Sequence, residues 1–246
     1  MQQLFFKQFL SKIYNVLFSI EQKDEELKIN EKSRCLLLVP NAIEELIGCG
    51  GLLTKFAKNF DVYCLTNGFK DITSTNLTYE EKVALRKKEF CTVMEKAGVN
   101  YYHFFEDIDQ NRLIMRFDRF KTISLSDYDY IFVPNFLDKN RDNKSVAIML
   151  NELLKERPFK KTTKIVLFEA FSTLAIPNVF VDIKDNMEQK LELMSLYQSQ
   201  MVKQNYKNPA YALAQYRGFC SKLELAEAYT LLDLENLNKI CKIYGK

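Results

Sequence analysis

Histidine is almost missing from this sequence, which holds only His103 among its 246 residues. A catalytic zinc ion usually has three protein ligands, mostly histidines together with a carboxylate. One copy of this chain therefore cannot provide a zinc site with two histidine ligands. His103 lies in an apolar stretch at 101–105, and we interpret it as a structural residue because a lone histidine on an apolar strand more often has that role.

Glycine and proline are also scarce, with seven and five residues. A sandwich or barrel of short strands needs many tight turns, so this composition favours long helices with short connections. Hydrophobic residues make up 47% and charged residues 27%, the ordinary balance of a globular protein. No stretch rich in Gly, Ser or Pro divides the chain, and we predict one α/β domain at 34–246 after an N-terminal segment at 1–33.

Strong net charge is absent as well. The 35 basic residues are mixed with 32 acidic ones, leaving a formal charge of +3. A nucleic-acid-binding protein usually carries a basic stripe or block. The most basic run, at 86–88, lies between Glu81 and Glu89, and we interpret it as a solvated helix face. No nucleic-acid partner is predicted.

Paired cysteines and a cleavable secretion signal are missing too. The six cysteines include no Cys-x-x-Cys pair, and a reducing cytoplasm is the simple expectation. Apolar residues recur at helical spacing over about 4–20, which predicts an amphipathic helix, while Lys7 and Lys12 argue against a membrane span. Packing on its own domain or on a second copy is favoured; binding to a membrane surface or to a protein partner stays open.

Apolar runs and helical periodicity alternate along the rest of the chain, which predicts a Rossmann-like, mostly parallel sheet flanked by helices. The predicted strands are 34–39, 61–66, 99–105, 130–133, 164–168 and 177–183. The predicted helices are 44–59, 79–97 with Gly98 as its C-terminal cap, 144–157, 185–203 and 208–217. Residues 106–125 are read as irregular, with some helix near 111–120, and 223–230 as a late strand or a short helix.

Two stretches that follow predicted strands carry polar residues. The first runs Pro40-Asn-Ala-Ile-Glu-Glu-Leu-Ile-Gly-Cys-Gly-Gly51, and the second Pro134-Asn-Phe-Leu-Asp-Lys-Asn-Arg-Asp-Asn143. Open α/β sheets bind ligands at the carboxyl ends of their strands, where both stretches begin. The glycines come too late for a dinucleotide-binding turn, and we interpret them as sites of close packing.

Both stretches resemble signatures of the LmbE/PIG-L family of zinc-dependent N-acetyl-sugar de-N-acetylases. The family's Pro-His-Pro-Asp-Asp-Glu, apolar pair and Gly-Cys-Gly-Gly align with 40–51 without a gap. Its Pro-x-x-x-Asp-x-His-x-Asp-His aligns with 134–143. Further matches extend the resemblance over about 34–232: Arg86-x-x-Glu89, Ala97-Gly98-Val99, Asp182-Ile183, Lys190, Tyr197-Gln-Ser199-Gln200, Arg217-Gly218 and Ala226-Glu-Ala-Tyr229.

The resemblance implies particular roles for several positions, and most of them are substituted here. The family's zinc ligands correspond to Asn41, Glu44 and Asn143, and its general base to Ile43. Asn140 replaces a further histidine. Zinc is the family's cofactor, but asparagine is a poor zinc ligand and isoleucine cannot move a proton, so we expect no bound cofactor.

The surviving carboxylates leave two alternatives. Glu44 and Asp142, with Asp138, are weak candidates for a hard-cation site, and Glu45 is the adjacent candidate base. The favoured interpretation is that Glu44 and Glu45 stabilise the first turn of a helix through its dipole.

The predicted site therefore contains altered catalytic positions and polar pocket residues. The altered positions are Ile43, Glu44, Glu45 and Asp142. The predicted pocket residues are Asn41, Glu44, Arg86, Asp138, Asn140 and Asn143.

We predict a catalytically inactive or strongly altered de-N-acetylase homologue acting in amino-sugar, glycan or glycolipid biosynthesis, with a sugar or nucleotide sugar as ligand. The alternatives are an active N-acetyl-sugar deacetylase or amidohydrolase with a non-standard carboxylate site, and a scaffold or membrane-surface protein that acts through its N-terminal helix. The link to sugar metabolism comes from the resemblance alone.

Overall fold

The computed structural model of the chain describes residues 26–244 and two isolated positions, 11 and 15. The predicted amphipathic helix at 4–20 otherwise lies outside the described residues. Seven strands form one sheet: β1 (Cys35–Val39), β2 (Phe60–Cys64), β3 (Tyr101–Phe104), β4 (Tyr130–Pro134), β5 (Lys164–Phe168), β6 (Val179–Asp182) and β7 (Ala226–Leu232).

The strand order is β3-β2-β1-β4-β5-β7-β6. The first five strands in this order are mutually parallel, and β7 runs antiparallel to both of its neighbours. The predicted Rossmann-like, mostly parallel sheet is confirmed. The late segment at 223–230 is a strand rather than a short helix, and every residue of β7 is buried.

Helices cover both faces of this sheet. Their bounds are α1 (Glu44–Lys55), α2 (Tyr79–Ala97), α3 (Phe117–Phe120), α4 (Arg141–Glu156), α5 (Met187–Ser195), α6 (Gln198–Met201), α7 (Lys207–Ser221) and α8 (Leu234–Tyr244). The predicted helix at 185–203 is interrupted by Leu196 and Tyr197, and α8 was not predicted. Within residues 26–244, no helix has the length and apolar composition needed to cross a membrane.

Helix α2 has the bounds that its sequence predicts, because both ends carry strong signals. Thr78 and Glu81 form a capping box at the start. Gly98 ends the helix with φ 83°, a left-handed conformation that favours glycine. The solvated-face interpretation of 86–88 is wrong for Arg86, which is fully buried, whereas Lys87 and Lys88 are exposed.

The glycines of α1 lie where the helix packs most tightly. A Cβ atom at Gly48 would collide with the Phe168 ring and the Glu169 carbonyl, and one at Gly51 would collide with Ile183. The close-packing interpretation is confirmed. This packing fixes the start of α1 above the carboxyl end of β1.

Candidate ligand-binding site

The site lies where the sheet reverses its winding direction. Strands β1 and β4 are neighbours, yet the chain leaves β1 towards β2 and leaves β4 towards β5, so their following loops diverge and open a crevice. A cavity of about 180 Å³ occupies it. Four predicted residues line it, namely Asn41, Glu44, Asn140 and Asp142, together with Ala42, Lys70, Asp71, Gln110, Asn111, Phe171, Gln200 and Tyr206.

Asn41 connects the first loop to its surroundings through two hydrogen bonds. Its Nδ2 donates to Glu44 Oε1 at 2.8 Å, and its Oδ1 accepts from Thr66 Oγ1 at 2.9 Å. Asn41 is 3% exposed, so these bonds are shielded from water. The amide is thereby held in one orientation, with its N–H directed at the carboxyl group of Glu44.

Glu44 is fully buried at the wall of the cavity. Burial raises the pKa of its carboxyl well above the ordinary value, and nearby Asp138, Glu45 and Asp142 add to the shift, against a smaller opposing effect of the Asn41 hydrogen bond. The buried environment therefore favours the protonated form of this carboxyl. Its Oε2 has no hydrogen-bond partner among the described residues.

Ile43 begins helix α1 in an unfavourable backbone conformation. Its φ of 83° is left-handed, and its side chain is fully buried. A β-branched residue in this region is a steric outlier that costs roughly 1–2 kcal/mol, whereas aspartate tolerates it better. The family signature, as the resemblance aligns it, has an aspartate at this position.

Glu45 points to a different environment from Glu44. The Tyr197 hydroxyl donates a hydrogen bond to its Oε1, and both side chains are fully buried. Burial raises the pKa of Glu45 to about 7, although the Tyr197 hydrogen bond and the Arg86 charge act in the opposite direction. Glu44 and Glu45 lie in the first turn of α1, as predicted, and in addition each is buried and has a side-chain partner.

The second loop is held by carboxylates that bind backbone N–H groups. Asp138 Oδ2 accepts from Phe171 N at 2.9 Å and from Ser172 N at 2.8 Å. Asp142 Oδ2 accepts from Asn111 N at 2.7 Å, and burial raises the pKa of Asp142. These contacts join the loop after β4 to the segments after β3 and β5.

Two asparagines of this loop differ in whether their side chains form hydrogen bonds. Asn140 caps α4, accepting a hydrogen bond from Asp142 N at 2.9 Å. Asn143 is fully buried, and neither its Oδ1 nor its Nδ2 has a partner within the described part of the chain. A buried amide without partners is unusual, and here it occurs at a position that the family resemblance assigns to a zinc ligand.

Arg86 lies below the cavity rather than in its wall. Its Nη2 donates to Ser199 Oγ at 3.1 Å, its Nε lies 3.5 Å from Glu89 Oε2, and Ser199 Oγ donates to the same Glu89 oxygen at 2.6 Å. The Arg-x-x-Glu and Ser-Gln matches are therefore in contact.

His103 lies on edge strand β3 against Tyr63 and Phe105, and burial lowers its pKa.

The side chains at the family's zinc positions do not suit zinc. Asn41 donates its amide N–H towards Glu44, and Asn143 provides a second neutral amide. Among residues 26–244, no three His, Cys, Asp or Glu side chains are grouped so that they could hold a metal ion. The alternative hard-cation site is not assembled either, because Asp138 and Asp142 direct their oxygens at backbone N–H groups.

Several cavity residues were not predicted from the sequence. Lys70, Gln110 and Phe171 come from segments after β2, β3 and β5, and Tyr206 precedes α7. Gln200 is the last residue of the Tyr197–Gln200 stretch that resembles the family. The resemblance implied no role for it, so it was not predicted as a site residue. Its Nε2 donates to the Ala42 carbonyl at 3.1 Å, and its Oε1 has no described partner.

No protein-family model and no curated protein sequence matches the chain. Solved structures with similar folds are found at low sequence identity. An N,N'-diacetylchitobiose deacetylase from Pyrococcus horikoshii is 20% identical, with a TM-score of 0.74 and 93% of each chain covered. The conserved protein TT1542 from Thermus thermophilus is 18% identical, with a TM-score of 0.64 over 80% of this chain and 94% of that one.

A third similar structure has a different activity. GalB, the 4-carboxy-2-hydroxymuconate hydratase of Pseudomonas putida KT2440, is 16% identical, with a TM-score of 0.65 over 81% of this chain and 96% of that one. The shared architecture therefore does not by itself indicate deacetylation. The resemblance to the LmbE/PIG-L family is confirmed at the level of the fold: this chain has an LmbE/PIG-L-like, de-N-acetylase-type α/β fold.

Proposed function

We propose that this protein binds an N-acetylated amino sugar, free or as part of a nucleotide sugar, without hydrolysing it. It would act as a catalytically inactive de-N-acetylase homologue in amino-sugar, glycan or glycolipid biosynthesis. The observation that carries the proposal is a pair of buried atoms on cavity-lining residues, Glu44 Oε2 and Gln200 Oε1, that have no partner among the described residues. Glu44 is a buried acid, and the Asn41 amide donates its hydrogen bond to Glu44 Oε1.

The free polar atoms of this wall complement an acetamido group. A neutral Glu44 offers an O–H donor at the carboxyl oxygen that is not bound to Asn41. Gln200 Oε1 is a buried acceptor without a described partner. An acetamido group has one carbonyl acceptor and one N–H donor, so a single ligand group could satisfy both. Because buried polar groups are normally hydrogen-bonded, a ligand of this class would be stabilised in the cavity.

The size of the cavity favours a small ligand group. Its volume of about 180 Å³ is below the roughly 300–1,000 Å³ of pockets that enclose drug-sized molecules. Hydrolysis is not part of the proposal, because Ile43 has no proton to exchange and the zinc positions carry the wrong donors.

The test is a calorimetric titration with N-acetylglucosamine and with glucosamine, which lacks the acetyl group. We expect N-acetylglucosamine to bind at least about tenfold more tightly, because glucosamine would leave the buried donor and acceptor unpaired. Gln200→Leu should remove this preference, and Gln204→Leu, an exposed position nearby, should keep it. Equal affinity for the two sugars would contradict the proposed ligand class.

A second candidate is an altered hydrolase with Glu45 as its base. The observation in its favour is that the pKa of Glu45 is raised to about 7, near the value that suits a general base at neutral pH. Glu45 does not line the cavity, however, and its Oε1 is occupied by Tyr197. Acetate release from N-acetylglucosamine that disappears in Glu45→Gln, with folding retained, would establish this candidate in place of the first.

A further inference from the structure

Two aromatic side chains form part of the wall of the ligand cavity. Phe171 and Tyr206 both line it, and their ring centroids lie 6.4 Å apart at an interplanar angle of 56°. They come from segments that are distant in the sequence, since Phe171 follows β5 and Tyr206 precedes α7. We call this pair of rings the aromatic wall. The acetamido contacts proposed for Glu44 and Gln200 make no use of it.

The Phe171 ring is not part of the hydrophobic core. It is half-buried and packs against none of the three core clusters of the described residues. Its described ring contacts are with Tyr206 and with the Lys139 ammonium group, which lies 6.0 Å from the ring centroid. Its backbone is nevertheless fixed, because Phe171 N donates to Asp138 Oδ2 at 2.9 Å. Phe171 is therefore an anchored aromatic side chain that lines a cavity instead of the core.

Tyr206 adds a hydroxyl group to the same wall. The residue is half-buried, and its hydroxyl has no hydrogen-bond partner within residues 26–244. Burial raises the pKa of this hydroxyl, so near pH 7 it is neutral and can both donate and accept. Because tyrosine has an apolar ring and a polar tip, it suits a ligand that presents both kinds of surface.

The aromatic wall and the proposed acetamido contacts belong to one space. Glu44 and Gln200 line the same cavity as Phe171 and Tyr206. Because its volume is only about 180 Å³, a group bonded to the acetamido nitrogen lies close to the two rings. In an amino sugar that nitrogen is bonded directly to a carbon of the sugar ring. The pyranose is therefore the part of the ligand that would reach the aromatic wall.

A pyranose ring has a surface that complements this wall. Its C–H groups form an apolar face and carry partial positive charge, which is attracted to the negative face of an aromatic ring. Its hydroxyl groups can donate to or accept from the Tyr206 hydroxyl. We propose that the C–H face of the ligand's pyranose ring packs on Phe171 and Tyr206, so that these residues select cyclic amino sugars over acyclic acetamides. This inference rests on the proposed acetamido ligand and adds the recognition of the sugar ring.

The test compares N-acetylglucosamine with N-ethylacetamide, which has the same acetamido group and no sugar ring. Affinities for the full-length protein are measured by NMR titration, which also detects weak binding. We expect N-acetylglucosamine to bind at least about tenfold more tightly, because each aromatic contact contributes a factor of a few. Phe171→Leu should lower the affinity for N-acetylglucosamine by about threefold to tenfold and leave that for N-ethylacetamide unchanged.

Two variants of Tyr206 separate its ring from its hydroxyl. Tyr206→Leu should have an effect similar to that of Phe171→Leu, whereas Tyr206→Phe keeps the ring and should have a smaller one. The controls Phe219→Leu and Tyr211→Leu remove the same kinds of ring at exposed positions of α7 outside the cavity lining. Both should bind N-acetylglucosamine like the wild-type protein. Thermal unfolding of each variant checks that it is folded.

Two results would overturn this inference and leave the proposed function intact. Equal affinities of the wild-type protein for N-acetylglucosamine and N-ethylacetamide would show that the sugar ring makes no favourable contact. An equal loss for both ligands in Phe171→Leu would show that this ring only shapes the cavity. If the wild-type protein binds N-acetylglucosamine no better than glucosamine, the proposed function fails, and this inference fails with it.

Discussion

The buried carboxylate at the middle of helix α1 forms more hydrogen bonds than the buried carboxylate at its start. At its middle, Glu227 accepts hydrogen bonds from Gly51 N at 2.7 Å, Leu52 N at 2.9 Å and Tyr229 at 2.8 Å, and pairs with Lys190 at 2.8 Å. At its start, Glu44 keeps a carboxyl oxygen without a partner in the described chain. The buried carboxylate at the middle of α1 is therefore fully hydrogen-bonded, whereas the one at its start is not.

This difference matches the distribution of family-like residues. The glycines of α1, Lys190 and the 226–229 segment keep the family pattern, and they form the satisfied network. Asn41, Ile43 and Asn143 depart from it, and they lie in or beside the unsatisfied region. The residues that pack α1 therefore keep the family pattern, although residues around the start of α1 depart from it.

The largest expected effect comes from breaking the satisfied network. Lys190→Met removes the cation from a pair in which both side chains are at most 4% exposed, leaving Glu227 buried and unpaired. We expect a loss of about 3–5 kcal/mol in the free energy of unfolding, measured by urea denaturation. The double variant Lys190→Met/Glu227→Gln should recover much of the loss. A small effect of Lys190→Met would remove the distinction between the middle of α1 and its start.

A smaller loss is expected from filling the close packing of α1. Gly48→Ala places a methyl group against backbone as well as a ring, and should cost roughly 1–3 kcal/mol. Gly50→Ala is the comparison, since the nearest atoms to its methyl group all belong to the Lys190 side chain, the first about 2.8 Å away, and none is backbone. Thermal unfolding of both variants checks this order, and an equal or larger loss in Gly50→Ala would contradict it.

A substitution at the start of α1 should increase the stability of the protein rather than reduce it. Glu44→Gln replaces a buried acid with a neutral side chain of the same shape. Above pH 4.5, the ordinary pKa, the unfolded chain releases a proton that the folded chain retains, so wild-type stability falls as pH rises towards the folded pKa. The variant should therefore be more stable than the wild-type protein near neutral pH.

The gain in Glu44→Gln should vanish below about pH 4.5, where both states are protonated. Chemical denaturation at several pH values measures it, with Glu152→Gln, at a partly exposed position of α4, as the control. A loss of stability in Glu44→Gln near neutral pH, which disappears as the pH falls, would show that Glu44 is a stabilising carboxylate rather than a neutral acid.

The smallest expected effect concerns the two family-position asparagines. Asn143→Leu removes a buried amide that has no described partner and should change stability by no more than about 1 kcal/mol, in the stabilising direction. Asn41→Leu breaks two hydrogen bonds and should destabilise by about 1–3 kcal/mol. Equal losses in the two variants, measured by urea denaturation, would show that Asn143 also has a structural partner.

The sequence predicted those parts of the fold whose signals are local. Helix α2 has a capping box and a terminal glycine, and strand β5 is a compact apolar run, so both bounds are as predicted. Strand β7 was ambiguous because its apolar run contains Glu227, and distant groups on Gly51, Leu52 and Lys190 explain how a carboxylate can be buried there. The break at Tyr197 also depends on a distant partner, since it places the hydroxyl on Glu45.

The site was predictable in its two loops and not beyond them. The resemblance indicated Asn41, Glu44, Asn140 and Asp142, which line the cavity. The loops after β2 and β3 carry no family motif. Their residues line the cavity because the strand order brings these loops close to those after β1 and β4, and local sequence does not reveal that order. Arg86 looked exposed from its charged neighbours, although its partners Glu89 and Ser199 allow it to be buried.

The most direct test is the zinc content of the full-length protein, purified without chelator, offered zinc and then dialysed. The proposed function predicts no stoichiometric zinc in the wild-type protein and no acetate release from N-acetylglucosamine. The variant N41H/N143H, which restores histidine at two family positions, should retain zinc and serves as the comparison. One tightly bound zinc ion per wild-type chain, together with acetate release, would contradict the account.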